Sequence, residues 1–111
     1  MRRALGGWLR GIGVEPDDEH DLVLACAEAC SNAIRHAYGP SAGTVDVEAH
    51  RENGAVEVVV RDFGQWRNRR RQEGGRGLAL IEAITPSMRI ERTDRGTVVT
   101  MRRTLRGSVS V

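Results

Sequence analysis

The chain contains no lysine: all 17 basic residues among its 111 are arginine. A Walker-type phosphate loop, a protein kinase of the common eukaryotic type and a Schiff-base enzyme each need a lysine, so none of them describes this chain. Aromatic residues are scarce, with one Phe, one Tyr and two Trp, so Leu, Ile, Val and Ala must fill the interior. No apolar run approaches the ~18 residues of a membrane helix, and no signal-peptide pattern opens the chain. The expectation is a cytoplasmic protein without membrane contact. The formal net charge is only +2, which argues against a dedicated nucleic-acid binder. Cys26 and Cys30 stand one helical turn apart with no C-x-x-C and no clustered His/Cys spacing. They do not suggest zinc, and read as small buried thiols in a reducing compartment.

What is present is enough for one domain, which at this length buries roughly 65% of its unfolded surface. "RRALGGWLRGIGV" carries Leu5, Trp8, Leu9 and Ile12 on one helical face, weakened by Gly6 and Gly7. Pro16 and the acids after it make a favourable helix start, and helical patterning runs from about Asp18 to Ala37, stopped by Gly39-Pro40. "GTVDVEAH" alternates Val45, Val47 and Ala49 inward as a strand, Arg51 to Gly54 read as a hairpin turn, and the Val-rich "AVEVVVRD" predicts a central strand. "FGQWRNRRRQEGGRG" is a loop, "LALIEAI" a short helix, and "SMRIERTD" and "GTVVTMRR" two strands joined at Asp94-Arg95-Gly96. Residues 106–111 are expected to be a frayed tail to a domain over 1–105. The order α-α-β-β-loop-α-β-β implies an α+β two-layer sandwich, with a sheet covered by helices on one face.

Within the second helix, Glu28, Asn32 and His36 recur every fourth position. At about 100° per residue they drift only about 40° per step and form one stripe. Leu22, Ala25, Cys26, Ala29, Ala33 and Ile34 supply the apolar surface beside it, which sets Glu28 and Asn32 at the edge of the packed face. A carboxylate there loses several kcal/mol of hydration without a partner. Asn costs the helix only about 0.7 kcal/mol against Ala, so burial dominates and the row needs a polar partner. E-x-x-x-N alone is also an ordinary solvated helix edge. "VVVRDFG" places Asp62 and Gly64 where the central strand enters a loop, a common site of ligand presentation and equally a common turn. Gly75 and Gly77 directly precede a helix, where free N–H groups favour phosphate and where a flexible loop would look the same.

Taken together, E-x-x-x-N, D-x-G, G-x-G-L and the late G-T resemble the Bergerat-fold (GHKL) ATPases. The fuller "AEACSNAIRHAY" resembles the bacterial anti-sigma-factor serine kinases and their actinobacterial relatives, and the match runs from about Arg3 to Arg103. That resemblance implies a histidine-kinase-like ATPase fold with a mixed, mostly antiparallel sheet. It implies Glu28 as general base, Asn32 as the ligand of Mg²⁺, Asp62 as acceptor for the adenine amino group, and Gly64 shaping the adenine pocket. Gly75, Arg76, Gly77 and Leu78 would belong to a phosphate lid, and Thr97 would support the adenine end. His36 and Tyr38 would fix the helix end. ATP and Mg²⁺ are the implied cofactors. The implied partners are a sigma factor and an anti-sigma-factor antagonist that the chain phosphorylates on serine, and relatives of this type often form homodimers. Trp66 stands where a second pocket glycine is common, and Glu73 and Gly74 stand where relatives often carry a lid arginine. Relatives also begin with a strand before the first helix. Here that strand is either absent or the chain is a piece of a longer regulator, fused to a phosphatase or sensor domain. The competing reading is a catalytically weak nucleotide-binding or scaffold module that acts by sequestration.

Overall fold

Alternation in the two central strands organises the fold. In a computed structural model, which describes residues 2–35, 43–64, 83–85 and 87–105, β1 (Val45–Glu52), β2 (Ala55–Asp62), β3 (Arg89–Thr93) and β4 (Gly96–Thr104) form one sheet in the order β1-β2-β4-β3. All three ladders are antiparallel. β2 is central, as its valine content predicts. Its inward residues Val56, Val58 and Val60 are buried, and in β4 so are Val99 and Met101. Two helices close this face. α1 (Arg2–Gly11) packs on α2 (Pro16–Ala33), and α2 lies on β2 and β4. The remaining helical residues among those described are Ala83 and Ile84, at the end of the expected third helix.

Local chemistry explains the boundaries. α2 starts at Pro16, two residues before the expected start. Glu15 is extended, and Pro16, lacking an N–H, fits a position whose N–H has no helical partner. Asp17, Asp18 and Glu19 complement the positive end of the helix. At the other end the turn widens over Ile34 and Arg35, and the expected continuation to Ala37 lies outside the described residues. The first hairpin is tighter than Arg51 to Gly54. β1 runs on to Glu52, and the turn is Asn53-Gly54 alone, with φ of 52° and 75°. Two positive φ values define the mirror-image turn whose twist suits a hairpin, and Asn-Gly tolerates it best. Gly6 and Gly7 cost α1 propensity, but at Gly6 the absence of a side chain leaves room for Glu19 and Val23 of α2.

The core follows from these faces. Leu5 and Leu9 of α1, Leu22, Ala25, Cys26 and Ala29 of α2, and the inward valines and Met101 of the sheet form one buried cluster. Trp8 and Ile12 are half-buried at its rim. The small residues of α2 bring its axis close to the sheet, so a polar side chain within that face has little water to reach.

Candidate nucleotide site at the end of the sheet

Cross-strand register lays the inner face of the sheet out in rows. Val47, Val60, Val99 and Ile90 form one apolar row, but the row after it reads Val45, Asp62, Thr97, Arg92. The buried face therefore turns polar at its last step, where β2 ends and β4 begins. Asp62 is 3% exposed and Thr97 2%. Oδ1 of Asp62 accepts hydrogen bonds from the backbone N–H of Thr97 at 3.2 Å and of Gly64 at 3.3 Å. Those two donors fix the carboxylate as the chain turns out of the sheet.

Gly96 makes that arrangement possible. Its φ is +138°, and a Cβ there would sit 1.9 Å from the Asp62 carbonyl oxygen and 2.9 Å from the Phe63 Cα. No side chain fits, so the start of β4 can press against the Asp62–Phe63 peptide only through glycine.

α2 brings the second half of the site. Its start is anchored by Arg103 of β4, whose Nε donates to Asp18 Oδ1 at 3.1 Å, whose second guanidinium nitrogen pairs with Asp21 Oδ2 at 2.8 Å, and whose third donates to the Ile84 carbonyl at 2.6 Å. Arg103 pairs in register with Val56. From Asp18 to Asn32 the helix rises about 21 Å, and from Val56 to Asp62 the strand advances about 20 Å. Anchored together at one end and packed along their length, α2 and β2 deliver Asn32 and Asp62 to the same end of the layer.

Asn32 is the most informative residue in this region. It is 1% exposed, and neither its Oδ1 nor its Nδ2 has a hydrogen-bond partner among the described residues. This corrects the edge placement expected for it. The buried residues Asp18, Leu22, Ala25, Cys26, Ala29, Asn32 and Ala33 trace one helical stripe, and Asn32 lies inside it. Glu28, about 40° further round, keeps the expected edge position and is half-buried. Its carboxylate lies one helical turn, about 6 Å along the axis, before Asn32. An orphaned amide in a packed face costs about 1–3 kcal/mol per unpaired group. Such a residue is tolerated where a ligand completes it. An amide oxygen is a hard donor suited to Mg²⁺, an ion that keeps few protein ligands and takes the rest from phosphate and water.

The structure thus brings Glu28, Asn32, Asp62, Gly64 and Thr97 to one end of the domain. Gly75, Arg76, Gly77 and Leu78 lie outside the described residues, as do His36, Tyr38, Trp66, the loop arginines and the expected tail. Sequence reasoning missed Gly96 as the contact that seats Asp62, and it missed the Asp18–Arg103–Asp21 cluster. The signal for the cluster was present. Continuing the inward alternation Val99, Met101 places Arg103 on the buried side, where a guanidinium requires acids.

The profile of the histidine kinase-like ATPase domain matches residues 1–103. The chain belongs to that family. Curated relatives of this histidine kinase-like ATPase domain include serine-protein kinase RsbW of Bacillus licheniformis, 30% identical over 119 aligned positions that cover 91% of this chain and 74% of the relative. Serine-protein kinase RsbW of Bacillus subtilis (strain 168) is 30% identical over 125 positions, covering 96% and 78%. Among solved structures, the RsbU and RsbW domains of Rv1364c from Mycobacterium tuberculosis superpose with a TM-score of 0.77 at 34% identity over 99% of this chain. The present chain spans only 30% of that longer one. Histidine kinase AdeS of Acinetobacter baumannii shares the fold, with a TM-score of 0.61 at 15% identity over 80% of the chain. The α+β sandwich with its antiparallel sheet is therefore the expected ATPase fold. Among the described residues no helix is long and apolar enough to cross a membrane.

Proposed function

We propose that this domain is a Mg-ATP-dependent serine protein kinase of the RsbW kind, which binds a sigma factor and phosphorylates an anti-sigma-factor antagonist. The observation that carries the reading is Asn32, an amide buried without a partner among the described residues, one turn after Glu28 and at the sheet end that holds Asp62. A scaffold without nucleotide gains nothing from keeping it. The identity to RsbW serine-protein kinases over most of the chain supports the same assignment.

In this reading Asp62 accepts a hydrogen bond from the adenine amino group. Its Oδ1 is already held by two backbone N–H donors, so the carboxylate is oriented before nucleotide arrives. Thr97, buried beside it, closes the adenine end, and Gly64 leaves space for the ring. Asn32 would hold Mg²⁺ through its Oδ1, and the bound ion supplies charge neutralisation and alignment of the phosphate oxygens. Glu28, at the water-accessible edge of the same helix, takes the proton from the serine hydroxyl. The serine oxygen then attacks the γ-phosphorus, the bond to the β–γ bridging oxygen breaks, and ADP leaves. Gly75, Arg76, Gly77 and Leu78 are assigned to the phosphate lid by the family pattern alone.

The test is incubation with Mg-ATP and the cognate antagonist, followed by mass spectrometry. The proposal predicts phosphoserine on the antagonist. Bound ATP without any phosphoserine would overturn the kinase assignment and leave nucleotide-dependent sequestration.

A further inference from the structure

The inner face of the sheet is covered unevenly. Val58 and Val60 of β2 are fully buried, yet their register partners Ala49 and Val47 on β1, and Val45 beyond them, are only half-buried. β1 is the outermost strand, and among the described residues no strand pairs with its other edge. Between that edge and α1 lies a groove of about 410 Å³ lined by Ala4, Leu5, Trp8, Val45, Val47 and Ala49. Arg51, next in the same inward row, donates from a guanidinium nitrogen to the Ile12 carbonyl at 2.8 Å. That bond ties the end of α1 to β1 and fixes the spacing of the two walls. We propose that the groove and the open β1 edge dock an extended segment of a partner protein, in which apolar residues alternate with arginine or lysine. The inference does not rest on the proposed ATP site.

Backbone geometry sets the first requirement. An unpaired strand edge presents N–H and C=O groups with which a second extended chain can pair. β1 is eight residues long and contains no proline. Its register with β2 runs without a bulge from Val45 opposite Asp62 to Glu52 opposite Ala55. A strand added at this edge sends every second side chain toward α1. The side chains that line the groove there are apolar, so a polar group entering it would lose hydration without a partner.

Charge sets the second. The other side chains of the incoming strand point to the opposite face, beside Asp46, Glu48, His50 and Glu52, all of them exposed. Glu48 reaches Arg61 at 3.6 Å and His50 reaches Glu57 at 3.3 Å, which leaves the β1 row acidic. Opposite charges across a strand pair attract and like charges repel, so basic residues suit this row. The same acids exclude a second copy of β1. Two copies paired antiparallel about a two-fold axis, with five or more residues matched, must be centred on Val47, Glu48, Ala49 or His50. These registers set Asp46 against Glu48, Glu48 against itself, Asp46 against Glu52, and Glu48 against Glu52. Every one of them meets acid with acid.

The test titrates the whole chain with fluorescein-labelled peptides as long as β1, reading Kd by anisotropy and amide exchange across residues 45–52. One peptide alternates valine with arginine, one valine with glutamate, and one serine with arginine. The valine–arginine peptide should slow exchange in that segment and bind about tenfold or more tightly than valine–glutamate, because several cross-strand charge contacts change sign together. Serine–arginine, which has nothing apolar for the groove, should bind about tenfold or more weakly. Glu48→Arg should narrow the charge preference by about threefold or more. Ala4→Arg, which obstructs the groove, should weaken the valine–arginine peptide by about tenfold or more. Both positions are exposed, and melts matching wild type show that the variants are folded. No binding of valine–arginine at about 1 mM, equal affinity for the two charge types, serine–arginine binding as tightly as valine–arginine, or unchanged exchange in 45–52 would each overturn the inference. So would self-association of the chain that itself slows exchange in 45–52, since a second copy would then be the occupant.

Discussion

Replacing Asn32 with Ala should stabilise the nucleotide-free protein and abolish its affinity for Mg-ATP. The side chain is 1% exposed, and its Oδ1 and Nδ2 are both unpaired among the described residues. Each orphaned group costs about 1–3 kcal/mol, so removing two recovers at least about 2 kcal/mol. Helix propensity adds about 0.7 kcal/mol in favour of Ala. Against this stands the small cavity left by the lost amide, about 1 kcal/mol at ~24 cal/mol per Å³. The low end of the balance is a gain of about 2 kcal/mol, and in a domain of this size that raises the midpoint of melting by on the order of 10 °C. Thermal melts of wild type and Asn32→Ala, each with and without Mg-ATP, measure both effects at once. Wild type should gain stability from nucleotide, and Asn32→Ala should start higher and gain none. A variant that melts below wild type without nucleotide would show that Asn32 has a structural partner, and the reasoning would fall.

Three further outcomes follow from the same geometry. Gly96→Ala would force a Cβ to within 1.9 Å of the Asp62 carbonyl oxygen at a φ of +138°. It should cost several kcal/mol, roughly the 3 kcal/mol or more of a strained core change, and a melt matching wild type would contradict the close approach. Asp62→Asn retains an oxygen for the Thr97 and Gly64 N–H groups and should melt within a few degrees of wild type. The ATP Kd should nevertheless rise by about 10–100-fold through loss of a charged acceptor, and calorimetry with unchanged affinity would remove Asp62 from the adenine pocket. Arg103→Met takes the paired guanidinium away from the fully buried Asp18 and should cost about 3–5 kcal/mol by denaturant titration. Asp18→Asn combined with Arg103→Met should cost less than the sum of the two single changes, and simple additivity would show that the pair is not coupled.

How much of this was legible in the sequence depends on the range over which each feature is encoded. The alternation of β2 and β4 and the helical stripe of α2 are properties of neighbouring residues, and both appear in the structure, except that Ile34, expected on the packed stripe, is 52% exposed where the helix widens at its end. Glu28, Asn32 and Asp62 were legible as polar residues where polarity is unexpected. The burial of Asn32 was not, because a helical wheel places a residue only to within the 40° or so that separates edge from centre. The type of the first hairpin was written in Asn53-Gly54 and was blurred by reading the turn too long. The Arg103–Asp18 contact joins residues 85 apart, so no local pattern contains it. Only the inward parity of Arg103 pointed to it. Gly96 is of the same kind, since its need for hydrogen in place of a side chain comes from Asp62 on the neighbouring strand.

Glu28→Gln tests the central claim most directly, because it removes the base and leaves the binding groups in place. The measurement is Mg-ATP affinity by calorimetry beside phosphoserine formation on the cognate antagonist by mass spectrometry. The account predicts an affinity equal to wild type and a transfer rate lower by about 10²–10⁴-fold, the usual contribution of a positioned general base. Phosphoserine formed at the wild-type rate by Glu28→Gln would contradict it.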